Sequence, residues 1–473
     1  MQRITGKGVG IMSIRGAVMV PHPPLIIPEV GRGQEVGISA TIAAYEKAAH
    51  HVAKLCPDTV VVTTPHSVMY ADYFHISPGR EAEGDFGKFG AKEVRIKAKY
   101  DIELRSQLCS LLDRDGFMAG TRGERDSRLD HATMIPLYFL EKQQVRYRIL
   151  RIGLSGQTLE AHYRLGEYIS KAADILGRNV VMIASGDLSH KLLEAGPYGY
   201  QKEGPEYDKR VMQAMGTGNF GDLLDFPDDF CEKAAECGHR SFVIMAGAFD
   251  GTSVNSKRLS YEGPFGVGYG ICTYETVGKD NTRRFLNQYE EMQRQKLEHK
   301  KASEDAYVRL ARKALETYVR TGKMPVIPDD LLEELRSKRA GVFVSLKMHG
   351  RLRGCIGTIL PVTDSVAEEI ADNAVSAGCR DPRFTPVKEE ELDQLVYSVD
   401  VLGETEEIAS PEELDVKEYG VIVSKGRKRG LLLPNLEGVD TVEEQISIAM
   451  QKAGIDETET GVKLERFRVI RHK

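Results

Sequence analysis

Three histidines in this chain each close an apolar, strand-like run. Ala17-Val18-Met19-Val20-Pro21 leads to His22, and Thr59-Val60-Val61-Val62-Thr63-Thr64-Pro65 leads to His66. Val180-Val181-Met182-Ile183-Ala184-Ser185-Gly186-Asp187-Leu188-Ser189 leads to His190. Imidazoles that converge on one point bind a metal, share a proton-transfer role, or do both. Any one of these histidines alone reads more readily as a hydrogen-bonded structural residue. Recurrence of one residue type at independent strand ends carries the functional reading. His131, in Leu129-Asp130-His131-Ala132, joins them with an acidic neighbour. His50, His51, His75, His162, His299, His349 and His472 lack this setting and read as surface or structural.

Two histidines need an anionic third ligand to form the facial triad of non-haem Fe(II). Glu236, in Ala235-Glu236-Cys237-Gly238-His239-Arg240, is the first candidate, and the adjacent Cys237 is the alternative. A thiolate favours a softer metal such as copper or zinc. Glu236 also has a plain reading, a carboxylate at a helix start that answers the helix dipole. Asp187 either orients a histidine or ligates directly.

Positioning such residues takes an α/β sheet. Buried parallel strands read as continuous apolar runs, and ligands of open α/β sheets gather at the strands' carboxyl ends. From 15 to 276 strand-like runs alternate with helical stretches at 39–55, 101–113 and 157–176. This alternation predicts an α/β domain with a mainly parallel sheet and flanking helices. The Gly-rich turn Tyr261–Gly270 enters a last short strand, Ile271-Cys272-Thr273-Tyr274. Residues 277–304 are dense in Lys, Arg and Glu and read as a charged, helix-prone linker.

A smaller α+β domain is expected over 305–473. It opens with an amphipathic helix, Ala306 to Arg320, and a short helix at 329–337. A strand at 341–347 turns at Gly350 into Leu352-Arg353-Gly354-Cys355-Ile356-Gly357. A helix at 364–378 and strands at 395–402 and 420–424 follow. Cys355 reads as a packing cysteine or as a nucleophile assisted by Arg353, with His349 the nearest histidine in sequence. Arg353, Arg380 and Arg383 bind a phosphate or carboxylate, or else hold Asp381 and its turn.

The chain has 473 residues, more than one ordinary core accommodates. A net charge of -6 argues against coating nucleic acid. No apolar run is long enough for a membrane span, and Met1-Gln2-Arg3-Ile4-Thr5 lacks a signal-peptide core. Residues before Met12 read as an unpatterned extension, with Met12 an alternative start. Seven scattered cysteines without a C-x-x-C pair suit a reducing cytoplasm and argue against a structural zinc site. A homo-oligomer is the expected form.

Taken together, several motifs resemble the class III extradiol dioxygenases of the LigB type, and more closely their Memo-like relatives, over 15 to 276. They are Pro21-His22-Pro23-Pro24, Pro65-His66-Ser67, Leu129-Asp130-His131, Ser185-Gly186-Asp187-Leu188-Ser189-His190, Glu236-Cys237-Gly238 and Gly266-Val267-Gly268-Tyr269-Gly270. The resemblance implies Fe(II) held by His22, His66 and a third ligand near Glu236. It implies His190 as acid and base, and His131 in the pocket of a small, catechol-like substrate. Memo-like relatives carry Cys where the oxygenases carry Glu, and this chain has both side by side. Leu352-Arg353-Gly354-Cys355-Ile356-Gly357 with Arg380-Asp381-Pro382-Arg383-Phe384 resembles the AMMECR-type domain. The pairing resembles the fused form of a gene system that includes a radical SAM protein, which implies such a partner. This chain has no Cys-x3-Cys-x2-Cys motif and is not that enzyme. Two functions follow: a dioxygenase-like oxidoreductase if Glu236 ligates, or a metal-binding accessory protein of the radical SAM partner if Cys237 does.

Overall fold

A computed structural model describes residues 12–473 except 329, 330, 349, 437 and 457. The expected extension before Met12 and the role suggested for His349 lie outside the described residues. The chain forms two compact units, divided between Glu291 and Met292.

Six strands build the first unit's sheet: β1 (Ile14–Val20), β2 (Thr59–Thr64), β3 (Arg148–Gly153), β4 (Val180–Ser185), β5 (Thr252–Glu262) and β6 (Tyr269–Lys279). Their order is β3-β2-β4-β1-β6-β5. The first four run parallel, and β6 and β5 add an antiparallel pair. The sheet is therefore mainly parallel, as its apolar runs predict. Successive side chains of a strand face opposite sides. Ala17 and Met19 enter one core and Val18 and Val20 the other, so helices cover both faces.

The predicted helices form as Ser39–Lys54, Ile102–Arg114 and Leu159–Leu176. Asp101 and Thr158 cap the latter two by accepting from Leu104 N–H and Ala161 N–H. The last strand is longer than Ile271–Tyr274. It pairs along its length with β5, and this takes Val277–Lys279 out of the expected linker. The charged stretch then forms the helix Phe285–Ser303, which buries Phe285 and Leu286 at its start. A hairpin of Glu81–Phe86 and Ala91–Lys99 was not legible in the sequence. Its charged positions hide the alternation that buries Ala82 and Phe86.

The second unit has a six-stranded antiparallel sheet: β7 (Val342–Met348), β8 (Arg351–Gly357), β9 (Leu395–Ile408), β10 (Gly420–Lys425), β11 (Lys428–Leu432) and β12 (Lys463–His472). The order is β8-β7-β9-β12-β10-β11. Gly350 turns the β7–β8 hairpin at φ 78°. Helices Ala306–Thr321 and Val366–Cys379 pack a core against β7 and β9. β9 extends six residues past the expected strand through a register shift between Leu402 and Thr405.

Candidate metal centre

The four parallel strands end on one edge of the sheet, and the loops beyond them meet. Val20 O accepts the Gly186 N–H at 2.9 Å. Asp187 Oδ1 accepts the His22 N–H at 2.7 Å. These two bonds lock the turn after β1 to the turn after β4. His22 Nδ1 lies 3.1 Å from Ser185 Oγ, and Ser185 Oγ–H donates to Ala132 O at 2.7 Å. With the hydroxyl proton so used, Ser185 Oγ accepts from His22 Nδ1–H. The lone pair of His22 is thereby fixed on Nε2. Nε2 points at His66 Nε2, 3.0 Å away, and at Cys237 Sγ, 3.5 Å away.

Cys237 arrives from a third element. The helix Asp228–Ala234 stops at Ala235, whose φ of 52° is left-handed. The chain then turns into the helix His239–Ala248. A Cβ on Gly186 would stand 2.1 Å from Gly238 Cα. Only two glycines allow this approach, and it sets Cys237 against the β4 turn. Glu236 faces the other way. Its Oε2 accepts the His239 N–H at 2.6 Å. The carboxylate expected as first candidate for the third ligand thus serves a helix start, and the sulfur of Cys237 joins the imidazoles.

His22, His66 and Cys237 bring their ligand atoms within 4.8 Å of one another, and so do Asp187, His190 and Cys237. Asp187 Oδ2 lies 3.9 Å from His22 Nε2. His190 is held by its N–H on Ala234 O at 3.1 Å, and its ring lies 5.0 Å from that of Tyr198. Its buried Nε2 has no partner among the described residues. His131 opens the helix His131–Glu141, capped by Asp130. Its ring centroid is 4.3 Å from that of His66 and 5.4 Å from that of His22. Asp130 also accepts from Thr64 Oγ1–H at 2.7 Å, tying the His66 turn to this helix.

Burial is the largest electrostatic influence here. It holds His22 well below the ordinary imidazole range, and neighbouring His66 lowers it further. It lowers His66, and it brings His131 to about 3. The imidazoles are neutral and ready to ligate. Burial raises Asp187 to about 6 and lifts Cys237 well above a free thiol. A cation among these donors reverses the last effect, because a ligating thiol is deprotonated outright. The distances fit one ion. Bonds of ~2.0–2.1 Å to nitrogen and ~2.3 Å to sulfur place such atoms about 3.0–3.5 Å apart.

Beside His66 and His131 opens a cavity of about 560 Å³. Lys88 and Phe89 from the hairpin, Arg125, Met134 and Arg151 line it. Ser185, the hairpin and Arg151 are the contributors that sequence reasoning missed. A charged residue inside the run Ile149-Leu150-Arg151-Ile152 was the available signal.

Residues 16–272 match the family model described as the catalytic LigB subunit of aromatic ring-opening dioxygenase, more than half of the chain. The chain belongs to the LigB family. Residues 308–472 match a second family model, AMMECR1, so this LigB-family member is a fusion of the two. A protein of Clostridium acetobutylicum is 44% identical over 98% of this chain and 100% of its own length. A protein of Thermotoga maritima is 53% identical over 36% of this chain and 98% of its own. The crystal structure of an uncharacterized protein from Pyrococcus horikoshii is 37% identical, covers 35% of this chain and 88% of its own, and has a TM-score of 0.33. Among the described residues, no helix of this LigB-family chain is long and apolar enough to cross a membrane.

Proposed function

We propose that the LigB unit is a metal-binding accessory unit, working in redox or modification chemistry with a radical SAM partner, in which His22, His66 and Cys237 hold the ion. The observation that carries this reading is Cys237 Sγ at 3.5 Å from His22 Nε2 while Glu236 is spent on the helix His239–Ala248. When bound, the ion would supply a positive charge that polarises an attached substrate oxygen and, if copper, redox chemistry. The chain's own residues do the rest. Ser185 fixes the tautomer of His22, as hydrogen-bond partners of metal-bound histidines do. His190 offers an unengaged Nε2 to take a substrate proton and return it. Asp187 anchors the His22 backbone. The cavity beside His131 admits a small molecule.

The thiolate favours copper or zinc over the all-nitrogen-and-oxygen triad of Fe(II) oxygenases. It supports the accessory reading, in which this unit works with a radical SAM partner. Ring opening of a catechol-like substrate by Fe(II) is the second reading, favoured by the family match and by His131 lining the cavity.

Metal analysis of anaerobically purified protein tests the site. About one ion per chain is expected, lost in His66→Ala and retained in His190→Ala. Full occupancy in His66→Ala overturns the ligand set. Oxygen uptake with simple catechols, present in wild type and absent in His190→Ala, selects ring opening over the accessory role.

A further inference from the structure

Two of the second unit's candidate anion binders are committed to carboxylates. Arg353 forks onto Glu391 at 2.8 and 3.0 Å. Arg383 forks onto Asp381 at 2.9 and 2.7 Å, and Asp381 also accepts the Cys355 N–H at 2.9 Å. The cavity beside His131 is built differently. Four cations line it: Lys88, Arg125, Arg128 and Arg151. Arg128 forks onto Asp126 at 3.0 and 2.7 Å. Arg151 is 1% exposed and donates to Arg128 O at 2.6 Å, with Asp130 3.7 Å and Glu124 3.8 Å away. Lys88 and Arg125 form no ion pair among the described residues.

This uncommitted pair is held in place by its surroundings. Lys88 sits beside Phe89 on the turn Gly87–Phe89 at the tip of the hairpin. Asp85, the wall's remaining carboxylate, fixes that turn by accepting the Gly87 N–H at 2.8 Å. The Phe89 ring lies 5.2 Å from that of His131. The Arg125 guanidinium lies 5.3 Å from the centre of the Tyr70 ring, a contact through its face that leaves its N–H fork open. Ser67 adds a third donor to the same wall. Its Oγ is buried, has no partner among the described residues, and rests against Gly153, where a Cβ would stand 2.6 Å from it. A buried hydroxyl left without a partner is costly, and two unanswered cations beside it call for an anion.

We propose that this cavity takes a small phosphate monoester, its phosphate held by Lys88, Arg125 and Ser67 and its body lying along Phe89 and Met134 towards His131. The proposal rests on the reading that the cavity serves the metal centre. A phosphate monoester carries a charge of about −1.5 to −2 at pH 7 and three acceptor oxygens. These match two cations and a hydroxyl on three separate segments. A carboxylate brings one charge and two oxygens, and leaves one of the three donors unanswered. The volume of about 560 Å³ is that of a small-molecule site. The Phe89 ring adjoins that of His131, whose centroid is 4.3 Å from that of His66. A phosphate at the hairpin tip therefore stands two rings away from the ion, and the other end of the molecule meets the centre.

Calorimetric titration of the full-length protein with phenyl phosphate supplies the test, with phenyl sulfate and benzoate as monoanions of similar size. Phenyl phosphate should bind about fivefold or more tighter than either, the effect of one further charge at contact distance in water. Its affinity should fall between about pH 7.5 and 5, as the monoester regains its second proton near pH 6, while that of phenyl sulfate stays level. Lys88→Gln and Arg125→Gln should each weaken it by about fivefold. Lys47→Gln, an equal charge change at an exposed position of the helix Ser39–Lys54, should leave it unchanged. The titration is repeated after dialysis against a chelator, with metal content measured in both samples, and the affinity should be the same. Protein that binds phenyl phosphate but holds no metal as purified would remove the metal reading and leave the phosphate site standing. Protein with its full metal complement that binds no phenyl phosphate would do the reverse. Benzoate binding as tightly as phenyl phosphate, an affinity that vanishes with the ion, or one unmoved by both Lys88→Gln and Arg125→Gln would each overturn the proposal.

Discussion

One hydroxyl decides how His22 presents itself. Ser185 gives its proton to Ala132 O and can only accept from His22, so the lone pair turns towards His66 and Cys237. Ser185→Ala removes that constraint. Metal affinity should fall by about 10- to 100-fold, the usual effect of losing such a partner, as measured by competition with a chromophoric chelator. Glu236→Gln should leave the affinity unchanged, because the amide oxygen still accepts from His239 N–H. Cys237→Ser should weaken it strongly. The reverse ranking of these two variants would make Glu236 the ligand. Sequence offered both neighbours as candidates. Their separation depends on a backbone turn at Ala235, which no residue spacing encodes.

At the scale of elements, strand ends and helix starts were legible because local chemistry marks them. Apolar runs ending in Pro-His or Ser-Gly-Asp gave β1, β2 and β4, and the acidic residue before His131 is the cap of its helix. The Glu81–Lys99 hairpin was not legible, since it hides its apolar face among charges and owes its place to packing. The order of strands and the inward turn of Cys237 depend on contacts distant in sequence. The contact between Gly186 and Gly238 is the clearest of these. Gly186→Ala must push the two turns apart, because the obstacle is backbone. A cost of about 1–3 kcal/mol is expected from overpacking, with metal binding lost before the fold. Thermal melting with and without metal measures both. A variant that melts lower yet binds metal normally would show that this contact does not place the sulfur.

Across the whole molecule, acid should act on the LigB unit through its core histidines. Burial lowers His75 to about 4 and His162 to about 3. His162 Nδ1–H donates to Thr158 O, and its Nε2 accepts from Ser155 N–H. Both are neutral in the folded state, whereas in the unfolded chain they take up protons near pH 6.5. As pH falls from about 6.5 towards 4, the unfolded state binds more protons and stability declines. These two rings should lower the melting temperature over that window, by roughly 2–4 °C for each kcal/mol they cost. His162→Gln removes one titrating group and should flatten the decline. A difference in melting temperature between wild type and His162→Gln that stays constant from pH 7 to 4.5 would contradict the burial of this ring.

The centre also has a history in time. His22 and His66 emerge early from the ribosome, but Cys237 lies more than a hundred and seventy residues behind His66. β1, which carries His22, pairs with β6, whose first residue is Tyr269. Contacts so far apart in sequence close late in folding. On the proposed ligand set, a nascent chain shorter than about residue 280 has imidazoles but no finished site, so the choice of ion would fall to the completed unit.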